Sequence, residues 1–129
     1  MNCFILINVV CGIIYKGDRI FIARRKAGKS MAGKWEFPGG KVERGESEEM
    51  ALKRELLEEL GMLVTVKNKL GSNVHAYKDF KINLVAYKCD FVNASFKLTD
   101  HDRFEWVTPK ELLNYDLTAA DIPLVELFV

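Results

Sequence analysis

The sequence predicts an α/β fold in one domain, with helices and strands in separate layers. Three observations predict it. Apolar, β-rich runs lie on both sides of one strongly helical segment, residues 47–60; two further helix starts follow near the end, at Thr108 and around Asp121. Finally, 129 residues with 49% hydrophobic content are enough for one proper core and too few for two comfortable ones, so residues 1–129 are read as a single domain. Strands mixed with helices that cannot share one face imply a layered arrangement.

Residues Phe4 to Tyr15 and Arg19 to Arg25 are β-rich, and Lys16-Gly17-Asp18 between them is a turn, which predicts a hairpin. Lys26 to Lys34, polar and carrying two glycines, is a loop leading into a short strand, Trp35-Glu36-Phe37, that ends at Pro38-Gly39-Gly40. Ser47 to Leu60 lacks Pro and Gly, is rich in Ala, Leu, Glu, Lys and Arg, opens on a serine suited to an N-cap and stops at Gly61. It is a helix. Leu63 to Val66 and Gly71 to Tyr77 read as extended, Lys81 to Val92 alternates as a long strand, and Arg103 to Val107 is one more short strand. Thr108-Pro109-Lys110-Glu111 carries a threonine cap and an early proline for a short helix through Leu113. A last helix runs from Ala119 or Asp121 to about Phe128.

A net charge of +1 argues against a general binder of nucleic-acid polymers or membrane surfaces. The charges are nevertheless unevenly placed. From Lys16 to Lys41 eight basic residues face only Asp18 and Glu36, whereas Glu43 to Glu59 holds seven acids against three bases. A basic arm followed by an acidic helix suits a phosphate ligand with a metal between, although lysines such as Lys26 and Lys29 also serve simply to keep a loop soluble. Within the arm, Arg25 is the first candidate for a phosphate contact and Lys41 the second. Cys3, Cys11 and Cys89 have no CxxC or histidine spacing, so they read as buried free thiols of a reducing cytoplasm. Phe4 to Ile14 lacks a basic leader and a cleavage site and is too short to span a bilayer, so it is read as a central strand.

At about 100° per residue, Glu55, Glu58 and Glu59 fall within a sector roughly 100° wide, with Leu52, Leu56, Leu57, Leu60 and Met50 on the neighbouring face. Like charges three and four residues apart destabilise a helix by roughly 0.2–0.5 kcal/mol per pair, and a divalent cation relieves them. Oxygen-only ligands favour Mg²⁺, with Mn²⁺ as the other candidate, over zinc. Taken alone, an acidic run also serves as the solvated face of a surface helix. The wider pattern points to metal-dependent phosphate chemistry.

From Gly40 to Met62 the chain reads G-x5-E-x7-R-E-(apolar)-x-E-E-x-G-(apolar), with Gly40, Glu46, Arg54, Glu55, Glu58, Glu59 and Gly61 at the fixed positions. This resembles the Nudix box at every fixed position. The resemblance implies an α/β/α sandwich around a mixed β-sheet and hydrolysis of a nucleoside diphosphate linked to a further group, with Mg²⁺. It makes Glu55, Glu58 and Glu59 metal ligands, with the Gly39 carbonyl as a further one. Glu46 and Arg54 become structural supports, because an arginine beside several carboxylates can hold them by paired hydrogen bonds.

Beyond the box, Arg24-Arg25, Met31-Ala32, Lys34 to Lys41 and the tail Leu117 to Leu124 resemble the MutT-like nucleoside triphosphate pyrophosphohydrolases. In that group an acid six residues before a tryptophan contributes to metal binding or activation of water. Here it is Asp100, before Trp106, where the family often has Glu. Phe37 could offer a ring face to the base, though an aromatic at a strand end is commonly core. Asp121 is, by resemblance, the residue that hydrogen-bonds the nucleobase edge; read alone it is an ordinary helix cap. The Asp-Ile-Pro-Leu tail is closer to the CTP pyrophosphohydrolase branch, whose substrates include modified deoxycytidine triphosphates and 8-oxo-dGTP.

The expectation is therefore hydrolysis of a (d)NTP to the monophosphate and pyrophosphate, cleansing the nucleotide pool. The partner is a nucleoside triphosphate, not a nucleic-acid polymer or membrane, and the protein acts as a monomer or homodimer in the cytoplasm. Two other readings stand beside it. Tyr77, some fifteen residues past the box, hints at a dinucleoside polyphosphate hydrolase. A non-catalytic nucleotide sensor is the third, although such modules commonly lose box glutamates. His75 and His101 show no metal-ligand spacing to each other.

Overall fold

The computed structural model describes residues 5–129. Cys3 and Phe4 lie outside the described residues. Seven strands form one mixed sheet: β1 (Ile5–Lys16), β2 (Arg19–Arg25), β3 (Trp35–Glu36), β4 (Gly39–Lys41), β5 (Met62–Ala76), β6 (Phe80–Ala94) and β7 (His101–Val107). The main path runs β3-β2-β1-β6-β5, with β4 also on β1 and β7 on β2. The predicted hairpin is present, but β1 and β2 pair only at Tyr15↔Ile20 and Lys16↔Arg19 before they part. Further along, the same edge of β1 takes β4 at Val9, Val10 and Cys11. A cleft lies over this edge, lined by Val9, Val10 and Cys11 of β1, by all of β4 and by Arg25 at the end of β2.

The helix α1 (Glu48–Leu60) begins and ends where its sequence signals say. Ser47 Oγ accepts from Met50 N at 3.1 Å, and Gly61 closes it at φ 58°. It covers one face of the sheet over Val10, Phe21, Val85 and Cys89. The other face is covered by two 3₁₀ helices, Pro109–Asn114 and Ile122–Leu127, with Leu112, Leu117 and Leu124 packed on Ile13, Ile22 and Ala86. The layering is as expected, but only one layer is α-helical.

Several local expectations need correction. The two extended pieces after α1 are one strand, β5, whose register shifts repeatedly against β6 between Leu63 and Gly71. Those bulges absorb the polar Lys67-Asn68-Lys69 without ending the pairing, and Lys67 and Lys69 reach Asp90 and Glu48. The two closing segments are 3₁₀ rather than α, and neither Thr108 nor Asp121 caps through its side chain. Thr108 Oγ1 instead donates to Glu111 Oε1 at 2.9 Å. Gly39 and Gly40, expected in a turn, lie in β4. Met50 and Leu57 are exposed, because the buried arc of α1 is centred on Leu52, Leu56 and Leu60 and takes in Glu59 rather than either of them.

Candidate active site

The box folds around Arg54. Its Nε and Nη2 donate to the two oxygens of Glu46 at 2.8 and 2.9 Å, its Nη1 to Glu55 Oε1 at 2.9 Å and Glu58 Oε2 at 3.3 Å, and Nη2 also to the Lys41 carbonyl at 3.1 Å. The paired bond to Glu46 is of the kind by which an arginine beside several carboxylates can hold them, the role the family resemblance gave this pair. The Arg54 guanidinium, helped by the Glu43 N–H, holds the Glu46 carboxyl down at about 2. One cation thus ties the box loop, β4 and the helix edge together.

The three helix glutamates differ in setting. Glu58 is exposed, Glu55 is mostly covered, and Glu59 is buried. Burial is the main reason the Glu59 carboxyl is pushed up to about 9, followed by its hydrogen bond with Glu55 and by the charges of Glu36, Glu55 and Asp100. Among the described residues, no three of these side chains already form a closed cage. What they present is a crowded set of oxygen donors that repel one another, the chemistry that suits a hard divalent cation. Gly40 makes room for them: a Cβ there would overlap the Glu55 carboxylate. A Cβ at Gly39 would overlap the Val10 carbonyl oxygen.

Beside this edge lies a cleft of about 430 Å³, whose lining includes Arg25, Phe37, Gly39, Gly40, Lys41 and Asp121. The candidate substrate contacts scattered over 97 residues therefore share one cavity. The Phe37 ring is buried and packs edge-on to Phe128, with centroids 5.7 Å apart, so it serves the core as well as the wall. Tyr77 and Phe80, stacked at 5.0 Å, line the same cleft. Asp100 stands outside the lining, in the loop before β7, where its carboxylate meets Lys29 at 3.2 Å.

Asp121 is held by the return of the chain against β3. Trp35 N donates to Asp116 O and Thr118 N to Trp35 O, and two residues on from Trp35 the Phe37 N–H donates to Asp121 Oδ2 at 2.8 Å. The carboxyl is buried, and burial, with the Glu36 charge, pushes it up to about 8. The folded protein therefore keeps this proton across a range, from about 4 to 8, in which the unfolded chain releases it, so Asp121 makes stability fall as pH rises through that range. Asparagine cannot ionise and can still accept from Phe37 N–H. The melting-temperature advantage of Asp121→Asn over wild type should grow from pH 5 to pH 8; an advantage that does not change with pH would show that Asp121 ionises freely in the fold.

Sequence reasoning passed over Glu36. Its Oε2 accepts from Arg25 Nη1 at 3.1 Å and sits 2.7 Å from His101 Nε2, making a half-buried knot at the cleft wall. The only clue was that it is one of two acids, with Asp18, inside an otherwise basic arm.

Comparison with known proteins agrees with this geometry. The family model described as NUDIX domain matches residues 9–127. The chain is 40% identical over 124 residues to the CTP pyrophosphohydrolase of Escherichia coli K12, covering 96% of this chain and 92% of that one. It is 43% identical over 79 residues to the 8-oxo-dGTP diphosphatase of Proteus vulgaris, covering 60% and 70%. The solution structure of the E. coli ORF135 protein superposes with a TM-score of 0.86 at 41% identity, covering 97% of this chain and 89% of that one. With an intact box running from β4 through α1 and a match along nearly its whole length, the chain belongs to the Nudix hydrolases, in their MutT-like branch.

Proposed function

We propose that the protein hydrolyses a nucleoside triphosphate to the monophosphate and pyrophosphate with Mg²⁺, clearing oxidised or modified nucleotides such as 8-oxo-dGTP or a CTP-type substrate. The observation that carries this reading is the single cleft joining Arg25, the glycine strand β4 against Glu55, and the buried acid Asp121. The names of the E. coli and Proteus relatives supply the two substrate classes.

Nudix hydrolases generally use divalent metal ions. Glu55, Glu58 and Glu59, with the Gly39 carbonyl as a further donor, would hold such an ion, which would supply charge neutralisation on the phosphates and a lowered pKa for the attacking water. Arg25 and, second, Lys41 bind phosphate oxygens through charge-assisted hydrogen bonds. Asp100, outside the cleft lining but near enough for its charge to act on Glu59, would contribute to metal binding or to activation of the water that attacks the β-phosphorus. Asp121, whose carboxyl accepts from Phe37 N–H and is hydrogen-bonded to Thr118, would read the base edge, and the Tyr77–Phe80 pair or the Phe37 ring offers the base an aromatic face. Among the described residues no helix is long and apolar enough to cross a membrane. The buried free thiols Cys11 and Cys89 support a reducing, cytoplasmic setting.

The test is a turnover panel with Mg²⁺ over 8-oxo-dGTP, dGTP, CTP, dCTP, 5-methyl-dCTP and a diadenosine polyphosphate, detecting pyrophosphate and phosphate separately. Monophosphate plus pyrophosphate from one or two triphosphates is the expected result. Because Tyr77 lines the cleft, where a second nucleoside could also rest, turnover of the diadenosine compound alone would replace this reading with dinucleoside polyphosphate hydrolysis. Silence throughout would leave a nucleotide sensor.

A further inference from the structure

His101 has a wholly buried side chain, and its Nδ1 is the one buried side-chain nitrogen or oxygen among the described residues that lacks a hydrogen-bond partner. Its other nitrogen lies 2.7 Å from Glu36 Oε2, and a carboxylate oxygen can only accept. The ring therefore carries its hydrogen on Nε2 and donates it to Glu36. The same Oε2 accepts from Arg25 Nη1, while Arg25 Nε donates to the Ser30 carbonyl at 2.6 Å. Arg25 is thus gripped at two points along the cleft wall. One of those points is an oxygen that His101 holds still.

A bulge puts the histidine there. β7 runs antiparallel to β2 with Arg24 opposite Arg103, but the register then shifts, so that Arg25 faces His101 and not Asp102. In unbroken register Asp102 would stand opposite Arg25 and compete with Glu36 for its guanidinium. The extra residue turns Asp102 away to Arg24, Nε to Oδ1 at 2.8 Å, and seats an imidazole in its place.

We propose that His101 is a positioning residue for substrate binding: by fixing the Glu36 carboxylate it sets the direction in which Arg25 presents its guanidinium to the phosphates. This rests on the reading of the cleft as the nucleotide site. Arg25 grips the substrate and the transition state alike, so the effect belongs in KM rather than kcat.

The decisive pair is His101→Gln and His101→Asn. The glutamine nitrogen reaches the place of Nε2, whereas the asparagine nitrogen stops at the place of Nδ1, short of Glu36; both bury one amide. We expect KM for the preferred triphosphate to rise about tenfold in the asparagine variant, with kcat within about threefold of wild type, and glutamine to restore KM to within about threefold. A merely structural histidine would move both variants alike. Equal KM values for the two, or a fall in kcat at unchanged KM, overturns the proposal. A second measurement needs neither variant nor substrate: ¹⁵N NMR of the wild-type imidazole should show the hydrogen on Nε2, and a hydrogen on Nδ1 instead refutes the contact on which the proposal stands. Absence of wild-type turnover would speak against the nucleotide reading, not against the tautomer.

Discussion

Glu58→Gln should cost about a thousandfold in turnover, roughly 4 kcal/mol of transition-state stabilisation, while hardly touching the fold. The side chain is 61% exposed, and its one ion pair among the described residues is to Arg54 at 3.3 Å across one helical turn. A pair of that kind contributes about 0.3–0.5 kcal/mol, so the melting temperature should stay within a degree or two of wild type. Loss of rate without loss of stability would mark Glu58 as a residue kept for its charge at the reaction centre. Equal rates for the two proteins would refute the metal site assigned to α1 and revive the solvated-face reading of its acids. A nucleotide sensor would give a third signature, changed metal-linked affinity with no turnover in either protein.

Neighbouring glycines should fail in different ways. At Gly39 an added Cβ would overlap the Val10 carbonyl oxygen and come within 2.7 Å of Cys11 Cα, atoms of the backbone of β1, which β6 holds from its other side. Neither can yield cheaply, so Gly39→Ala should cost about 3 kcal/mol or more and yield little folded protein. At Gly40 the obstacle is the end of a side chain, the Glu55 carboxylate, which can swing aside at the expense of its 2.9 Å bond from Arg54. Gly40→Ala should therefore fold, with a cooperative melt, yet lose about 100-fold in rate because one donor has been displaced by an ångström or so. Parallel melts and rates separate the two. An active, stable Gly39→Ala protein, or a fully active Gly40→Ala protein, would contradict the close packing of β4 between β1 and α1.

What could be read in advance was whatever is encoded over short range. Ser47, the alanine- and leucine-rich turns and Gly61 delimit α1 because a cap, helical periodicity and a left-handed stop each act within a few residues. The Arg54 network was legible for the same reason: its carboxylate partners lie within eleven residues along one loop and helix. The two closing helices were legible from threonine or aspartate followed by an early proline, a signal that marks a helix start without saying how tightly the turns wind, and they wind as 3₁₀. Met50 and Leu57 were grouped with Leu52, Leu56 and Leu60 by helical angle, whereas the sheet decides which arc of α1 is covered. Glu36 and His101 stayed hidden because their meeting, 65 residues apart, depends on a one-residue slip between β2 and β7. A slip of that kind leaves no periodic trace in either strand.

The parallel ladder between β1 and β6 has a consequence for how the molecule assembles. Each residue of β1 from Ile5 to Tyr15 pairs with one 75 positions later, Ile5 with Phe80 and Tyr15 with Asp90. Closing a loop of that length costs chain entropy before any pairing returns it, whereas β5 and β6 meet across a connection of a few residues. The β5–β6 ribbon is then the natural nucleus, and β1 docks on it late. Because β1 carries β4 on its other edge, the glycine strand and the carboxylates it abuts come together only at that late step. Catalytic competence and completion of folding should arrive together, so a refolding chain would recover its activity no sooner than its slowest kinetic phase.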